Sequence, residues 1–246
     1  MTIKDEYLKE ENKVYKIYKL LYSTYGQQGW WPFIDYKYVN TSKNQNTSGY
    51  HIGKYDFPRD NIEVFEVCLG SILTQNTTFI SVIKSLHNLK ALTKLTPEGI
   101  TELNIEQLKI AIKPSGYYNQ KTRYIFEFIS FFTALNGKVP TREALLNVVG
   151  IGEETADSIL LYGYNQEEFI IDSYTMRVLF SLGLIDEKAK YKDVKEFMQT
   201  SIKACVSEKK ERIIVYQEYH ALIVKHAKMF YSKKPYGVGC MLYALI

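Results

Sequence analysis

The sequence predicts an all-α protein. Three observations carry this. Apolar residues recur at the three-to-four spacing of amphipathic helices along nearly the whole chain. Helix-start and helix-stop residues punctuate that spacing at short intervals. No alternating apolar–polar runs joined by a hairpin turn suggest paired strands, and no long internal repeat suggests a solenoid.

The elements follow in order. Val14, Ile17, Tyr18 and Leu21 lie on one helical face, and Gly26 stands where that helix should stop. Residues 37–60 are polar and rich in Asn, Ser, Thr and Gly, which reads as a loop or insertion. Asp60 and Glu63 have the spacing of a capping box. The next helix, Val64 to Leu73, is apolar on nearly every side and should be buried. Thr74-Gln75-Asn76-Thr77 breaks it. Phe79, Val82, Ile83, Leu86 and Leu89 then form one face of a second helix. Thr96-Pro97 and Asn104 with Gln107 mark two further starts, and Lys113-Pro114-Ser115-Gly116 ends that run. A helix from about Asn119 to Ala134 closes at Asn136-Gly137, and Thr141 caps a short one ending near Asn147. Three more are expected at about 173–183, 190–206 and 210–231, for about ten short helices in all.

Composition narrows the class. With 246 residues and 46% of them hydrophobic, the chain can bury one large core or two small ones. Charged residues at 24% and aromatic ones at 14% exclude disorder as a global description. No apolar stretch approaches the roughly 18 residues that span a bilayer, so no membrane partner is expected. The charged start Met1-Thr2-Ile3-Lys4-Asp5-Glu6 lacks an apolar signal core, and Cys68, Cys205 and Cys240 are few and scattered. Both features lead to the expectation of a cytoplasmic protein without disulfides. The net charge of +4 permits a polyanionic partner without demanding one.

The most informative stretch runs from Leu145 to Val178. A short helix ends at Val148-Val149, Gly150-Ile151-Gly152 makes a tight turn, and a new helix starts at Glu153 with Ala156, Ile159 and Leu160 facing inward. Two glycines permit positive φ and leave no side chain over the turn. The free amides of the turn and of the next helix start then point outward together, which suits a phosphate oxygen. By itself, Gly-Ile-Gly is equally a plain connection. The apolar run Phe169-Ile170-Ile171 then delivers Asp172 to the start of another helix, where it is at least an N-cap.

On these residues the chain resembles the helix-hairpin-helix DNA glycosylases of the endonuclease III superfamily. Val149-Gly150-Ile151-Gly152, Thr155-Ala156 and Ile170-Ile171-Asp172 match that pattern in order and spacing, and the resemblance runs roughly from Trp30 to Cys240. It implies a two-lobed fold: a six-helix barrel domain over 57–166, and a second helical domain from 1–56 plus 167–246 that carries Asp172 at the cleft. It implies a monomer acting on double-stranded DNA with a damaged base, and Asp172 as the catalytic carboxylate. Cleaving an N-glycosidic bond develops positive charge on the sugar, which a carboxylate stabilises. Gly150, Gly152, Glu153, Thr155, Asn119 and Lys121 become the expected contacts to the DNA backbone. Two residues beyond the hairpin's second glycine, bifunctional relatives carry a Schiff-base lysine. Here that residue is Glu154, which cannot form an imine, so an enzyme without lyase activity is implied. Lys121 or Lys225 could act out of position, though nothing in the sequence favours it.

Many relatives hold a four-iron cluster in the tail. Its ligand positions fall on Tyr231, Gly237, Cys240 and Ile246, and one cysteine cannot hold it. The expectation is no iron–sulfur cluster and no other cofactor, although the hairpin could hold a monovalent cation. The tail lysines Lys225, Lys228, Lys233 and Lys234 are either further backbone contacts or a solvated helix end.

Three more segments resemble the 3-methyladenine DNA glycosylase III branch: Trp30-Trp31-Pro32, Leu73-Thr74-Gln75-Asn76-Thr77 followed by Phe79, and Pro114-Ser115-Gly116-Tyr117-Tyr118-Asn119-Gln120-Lys121. An enzyme working on a base must take it out of the stack. The resemblance implies that Trp31 and Phe79 sandwich the extruded base, with Trp30 beside them, and that Gln75 or Asn76 fills the duplex. An electron-poor alkylated purine such as 3-methyladenine suits electron-rich rings. All three aromatics could equally be core. The long 37–60 stretch and the weakly matching tail depart from this branch. The rival readings are a mismatch-type glycosylase for thymine, uracil or adenine, and a non-catalytic helix-hairpin-helix DNA-binding protein.

Overall fold

The computed structural model describes residues 12–36 and 49–246. The segment 37–48, most of the polar stretch singled out above, lies outside the described residues, as does the charged start. Every regular element among the described residues is helical. The α-helices are α1 Lys13–Tyr25, α2 Asn61–Thr74, α3 Phe79–Leu92, α4 Pro97–Glu102, α5 Ile105–Ile112, α6 Tyr118–Leu135, α7 Arg142–Leu146, α8 Glu153–Ser158, α9 Ser173–Ser181, α10 Tyr191–Lys203 and α11 Lys209–Phe230.

The caps explain the boundaries. Thr78, Thr96, Thr141 and Asn104 each accept an N–H from the first turn of the helix they precede, and Gln107 completes the box at α5. Gly26 takes φ +68° and closes α1 through its N–H to Tyr22 O. Two expected starts differ. Asp60 caps α2 through the N–H groups of Ile62 and Glu63, but Glu63 turns back to the N–H and guanidinium of Arg59, so the box is not reciprocal. The helix expected from about Asn119, α6, starts at Tyr118, behind Tyr117 in the left-handed region at φ +47°.

The chain divides into two compact units, Trp31–Asn165 and Met1–Trp30 with Gln166–Ile246. The expected division placed 1–56 wholly with the second domain. In the structure Trp31 and the residues after it join the first unit, because they pack on α2. Ile34 N–H bonds Glu66 at 2.8 Å, and Phe33 stacks on Phe57.

In the first unit α2 is the central element. It is buried from Val64 to Leu73 and packs against α3, α6 and the helical turn Ile159–Gly163 that continues α8. Val82, Leu86 and Leu89 of α3 and Ile125 and Phe128 of α6 complete the core. In the second unit α11 packs against α1 and α9. Phe169 meets Tyr216 and Tyr219 edge to face, and Glu218 accepts the N–H of Gln28 at 2.7 Å.

Candidate active site

The hairpin is built from both glycines, but for different reasons. Gly150 has φ +88°, and a Cβ there would lie 2.2 Å from Cγ of Tyr124, so neither the backbone nor the space admits a side chain. Gly152 has an ordinary φ of −93°, and a Cβ on it meets nothing within 4 Å. Both glycines are expected to permit positive φ and to leave no side chain over the turn. Only Gly150 needs it; Gly152 leaves open space before α8.

Three side chains hold the hairpin together. Ile151 is buried at the tip. Arg142 donates to both carboxylate oxygens of the fully buried Asp157, at 2.8 and 3.2 Å, and reaches Glu153 at 3.3 Å. The Gln75 amide donates to Gly150 O at 2.8 Å and lies 3.1 Å from Thr155 Oγ1. Two of the expected DNA contacts have side chains engaged inside the protein. Thr155 is buried against Gln75. Lys121 is 2% exposed, and its ammonium donates to Leu73 O and Ser115 O, both at 2.8 Å. Those carbonyls at two helix ends need donors more than the solvent needs another cation. Gly152, Glu153 and Asn119 are exposed or open, and Glu154 stands exposed in the first turn of α8.

The turn after α2 separates the two wedge candidates. Gln75 is half-buried and engaged with the hairpin, whereas Asn76 is exposed with φ +53°. Lys121 secures Leu73 O just before this turn.

Trp31 is buried and Trp30 half-buried. The Trp31 ring lies against Gly70, where a Cβ would come within 2.9 Å of Cζ2. Its partners are Phe79 at 5.3 Å between centroids and Tyr162 at 5.6 Å. Trp31 and Phe79 are at 84° to each other, edge to face. A sandwich needs parallel rings roughly 7 Å apart, two contact distances. The two rings meet edge to face, the arrangement that their quadrupoles favour.

Asp172 occupies the N-cap of α9, where Oδ1 accepts Thr175 N–H at 2.7 Å. Its Oδ2 lies 3.6 Å from Nε2 of His220 on α11. Burial alone would raise this carboxyl's pKa. The hydrogen bond and charge of His220, with the Thr175 N–H, outweigh it and hold the pKa below the ordinary carboxylate value. Asp172 is thus both cap and ionised carboxylate. His220 escaped the sequence reading; it lies 48 positions away on a helix buried almost all round, so no face singles it out.

Among the described residues no group of three or more His, Cys, Asp or Glu is arranged to hold a metal. The tail offers one thiol, Cys240, which accepts a hydrogen bond from the Tyr231 hydroxyl at 3.2 Å and lies 3.0 Å from His226 Nε2. This donor set does not fit a four-iron cluster.

Residues 69–204 match the model of the HhH-GPD superfamily base excision DNA repair proteins. "Putative DNA repair glycosylase MJ1434" of Methanocaldococcus jannaschii is 35% identical over 94% of this chain and 96% of its own length. Endonuclease III of Sulfolobus acidocaldarius is 31% identical over 73% of this chain and 79% of its own. Among solved structures, the 3-methyladenine DNA glycosylase of H. pylori bound to 1,N6-ethenoadenine is 30% identical, with a TM-score of 0.58 over 67% of this chain and 85% of that one. An endonuclease III–DNA complex shares the fold at 18% identity, with a TM-score of 0.67 over 96% and 94%. The hairpin built on Gly150, the Asp172 that follows it and a family match spanning both lead to one assignment: the chain belongs to the HhH-GPD superfamily of base excision DNA repair glycosylases.

Proposed function

We propose that this protein excises alkylated purines such as 3-methyladenine from duplex DNA and leaves an abasic site uncut. The observation that carries the reading is Asp172, held ionised at the start of α9 beside His220. As the N-glycosidic bond lengthens, the sugar becomes cationic, and a fixed carboxylate stabilises that charge and orients the attacking water. An alkylated purine already carries positive charge, so modest assistance suffices.

The substrate class is supported by the relation to the H. pylori enzyme, whose name and bound base are both of the adenine type. Trp31, Phe79 and Trp30 are the proposed base pocket, with the Phe79 ring turning from its edge-on position when a base stacks. Asn76, exposed in a left-handed turn, is the proposed wedge, because Gln75 is occupied by the hairpin. The open amides around Gly152, with Glu153 and Asn119, face the phosphates in this reading. The absence of strand cleavage rests on Glu154 standing where a lyase would need an amine, and on Lys121 being committed to carbonyls. No cofactor is required.

The test is to incubate the protein with methylated duplex DNA, chromatograph the released bases and treat the DNA with alkali. Release of 3-methyladenine, with breaks only after alkali, supports the proposal. Breaks without alkali refute the uncut product. Release only from mismatched oligonucleotides moves the substrate to the mismatch class.

A further inference from the structure

The loop that bears the tryptophans is held by a buried acid that the reaction does not use. Glu66 of α2 is 5% exposed, and its Oε1 accepts the Ile34 N–H at 2.8 Å. Burying a carboxylate is unfavourable, and an apolar residue would fill this space in an otherwise apolar helix at lower cost. Glu66 and Gly70 are one turn apart, so they lie on the same face of α2. Gly70 receives the Trp31 indole. One helix face therefore grips the segment twice: at the Ile34 backbone through Glu66, and at the Trp31 ring through Gly70. Pro32, with its fixed φ, lies between the two grips and transmits one to the other.

We propose that Glu66 is a positioning residue for the base pocket, whose carboxylate holds the backbone at Ile34 and thereby keeps the Trp31 ring seated on Gly70. The group acts through its reach and its acceptor oxygen. Glu66→Gln keeps both and loses the charge. Glu66→Asp keeps the charge and loses the reach by one methylene. The pair separates anchoring from a role for the charge. The assignment rests on the base-pocket reading only for its functional consequence; the anchoring can be measured without substrate.

Trp30 and Trp31 are the two tryptophans of the chain, so a Trp30→Phe background leaves Trp31 as the only indole emitter. In that background Glu66→Gln should match the parent, whereas Glu66→Asp should red-shift the emission maximum by about 5 nm or more and double the quenching by iodide. Gly70→Ala, which pushes on the ring from the other grip, should give the same shift with Glu66 intact. In the otherwise wild-type chain, Glu66→Asp should raise KM for methylated DNA about tenfold with kcat within threefold, and Glu66→Gln should restore both. A Glu66→Asp protein with parental emission and quenching overturns the inference, as does a Glu66→Gln protein as perturbed as Glu66→Asp. If the wild-type protein releases no base, the functional reading fails while the fluorescence still decides the anchoring.

Discussion

His220 Nε2 and Asp172 Oδ2 lie 3.6 Å apart, one on α11 and the other capping α9. The pairing makes the carboxylate a weaker base than its burial would dictate. Asp172→Asn keeps the cap and removes the charge, and it should lower the single-turnover excision rate by about 10²- to 10⁴-fold. His220→Phe should shift the acidic limb of the rate–pH profile upward, because burial of Asp172 is then opposed by the Thr175 hydrogen bonds without His220. The same depressed pKa contributes stability that is fully present above the unfolded value of about 3.9 and is lost as pH falls through the folded one. Acid unfolding of the His220→Phe protein should begin at higher pH, measurable by circular dichroism.

The two hairpin glycines should respond differently to alanine. Gly150→Ala meets the Tyr124 ring and a φ of +88°, and should cost about 2–4 kcal/mol in urea unfolding. Gly152→Ala enters open space at an ordinary φ and should leave stability within about 0.5 kcal/mol. In the proposed reading it still weakens DNA binding, which fluorescence anisotropy with a labelled duplex would register.

Burial pushes the Lys121 ammonium down to about 8. An unfolded lysine titrates near 10.4, so between pH 8 and 10 the unfolded chain binds more protons than the folded one. Stability in this window therefore gains from Lys121 as pH rises. Relative to wild type, Lys121→Met should be flatter with pH across 8–10 in thermal melts. It should also leave Leu73 O and Ser115 O without this donor, at a cost of about 1–3 kcal/mol.

Arg142→Met removes the guanidinium bound to the fully buried Asp157. A buried carboxylate that loses its guanidinium is expensive, and the loss should be about 3–5 kcal/mol. Arg142→Met with Asp157→Asn should recover part of it. A double variant destabilised by the sum of the Arg142→Met and Asp157→Asn losses in chemical denaturation would show that the pair is not coupled.

The legible features were local ones. Helix starts at Thr78, Thr96, Asn104 and Thr141 are written in residues whose side chains reach only three positions along the chain. The hairpin and the cap at Asp172 are equally local. What escaped depends on distant partners. Lys121 reads as a surface cation because its acceptors are backbone carbonyls, one of them 48 residues away. Glu66 carries no local signal because its partner is the Ile34 N–H, 32 residues away. Trp31 and Phe79 are neighbours, but the Trp31 ring also meets Gly70 and Tyr162, which no spacing rule links to them.

The Gln75 amide spans from the turn after α2 to the carbonyl of Gly150. One side chain thus makes the two loops a caliper of fixed opening. In the proposed reading one jaw rests on phosphates and the other enters the stack, so the distance from gripped phosphate to probed base pair is constant. A duplex displaced by a single nucleotide at the hairpin is displaced equally at Asn76. Step length along the helix, rather than base identity, is then what this part of the molecule measures.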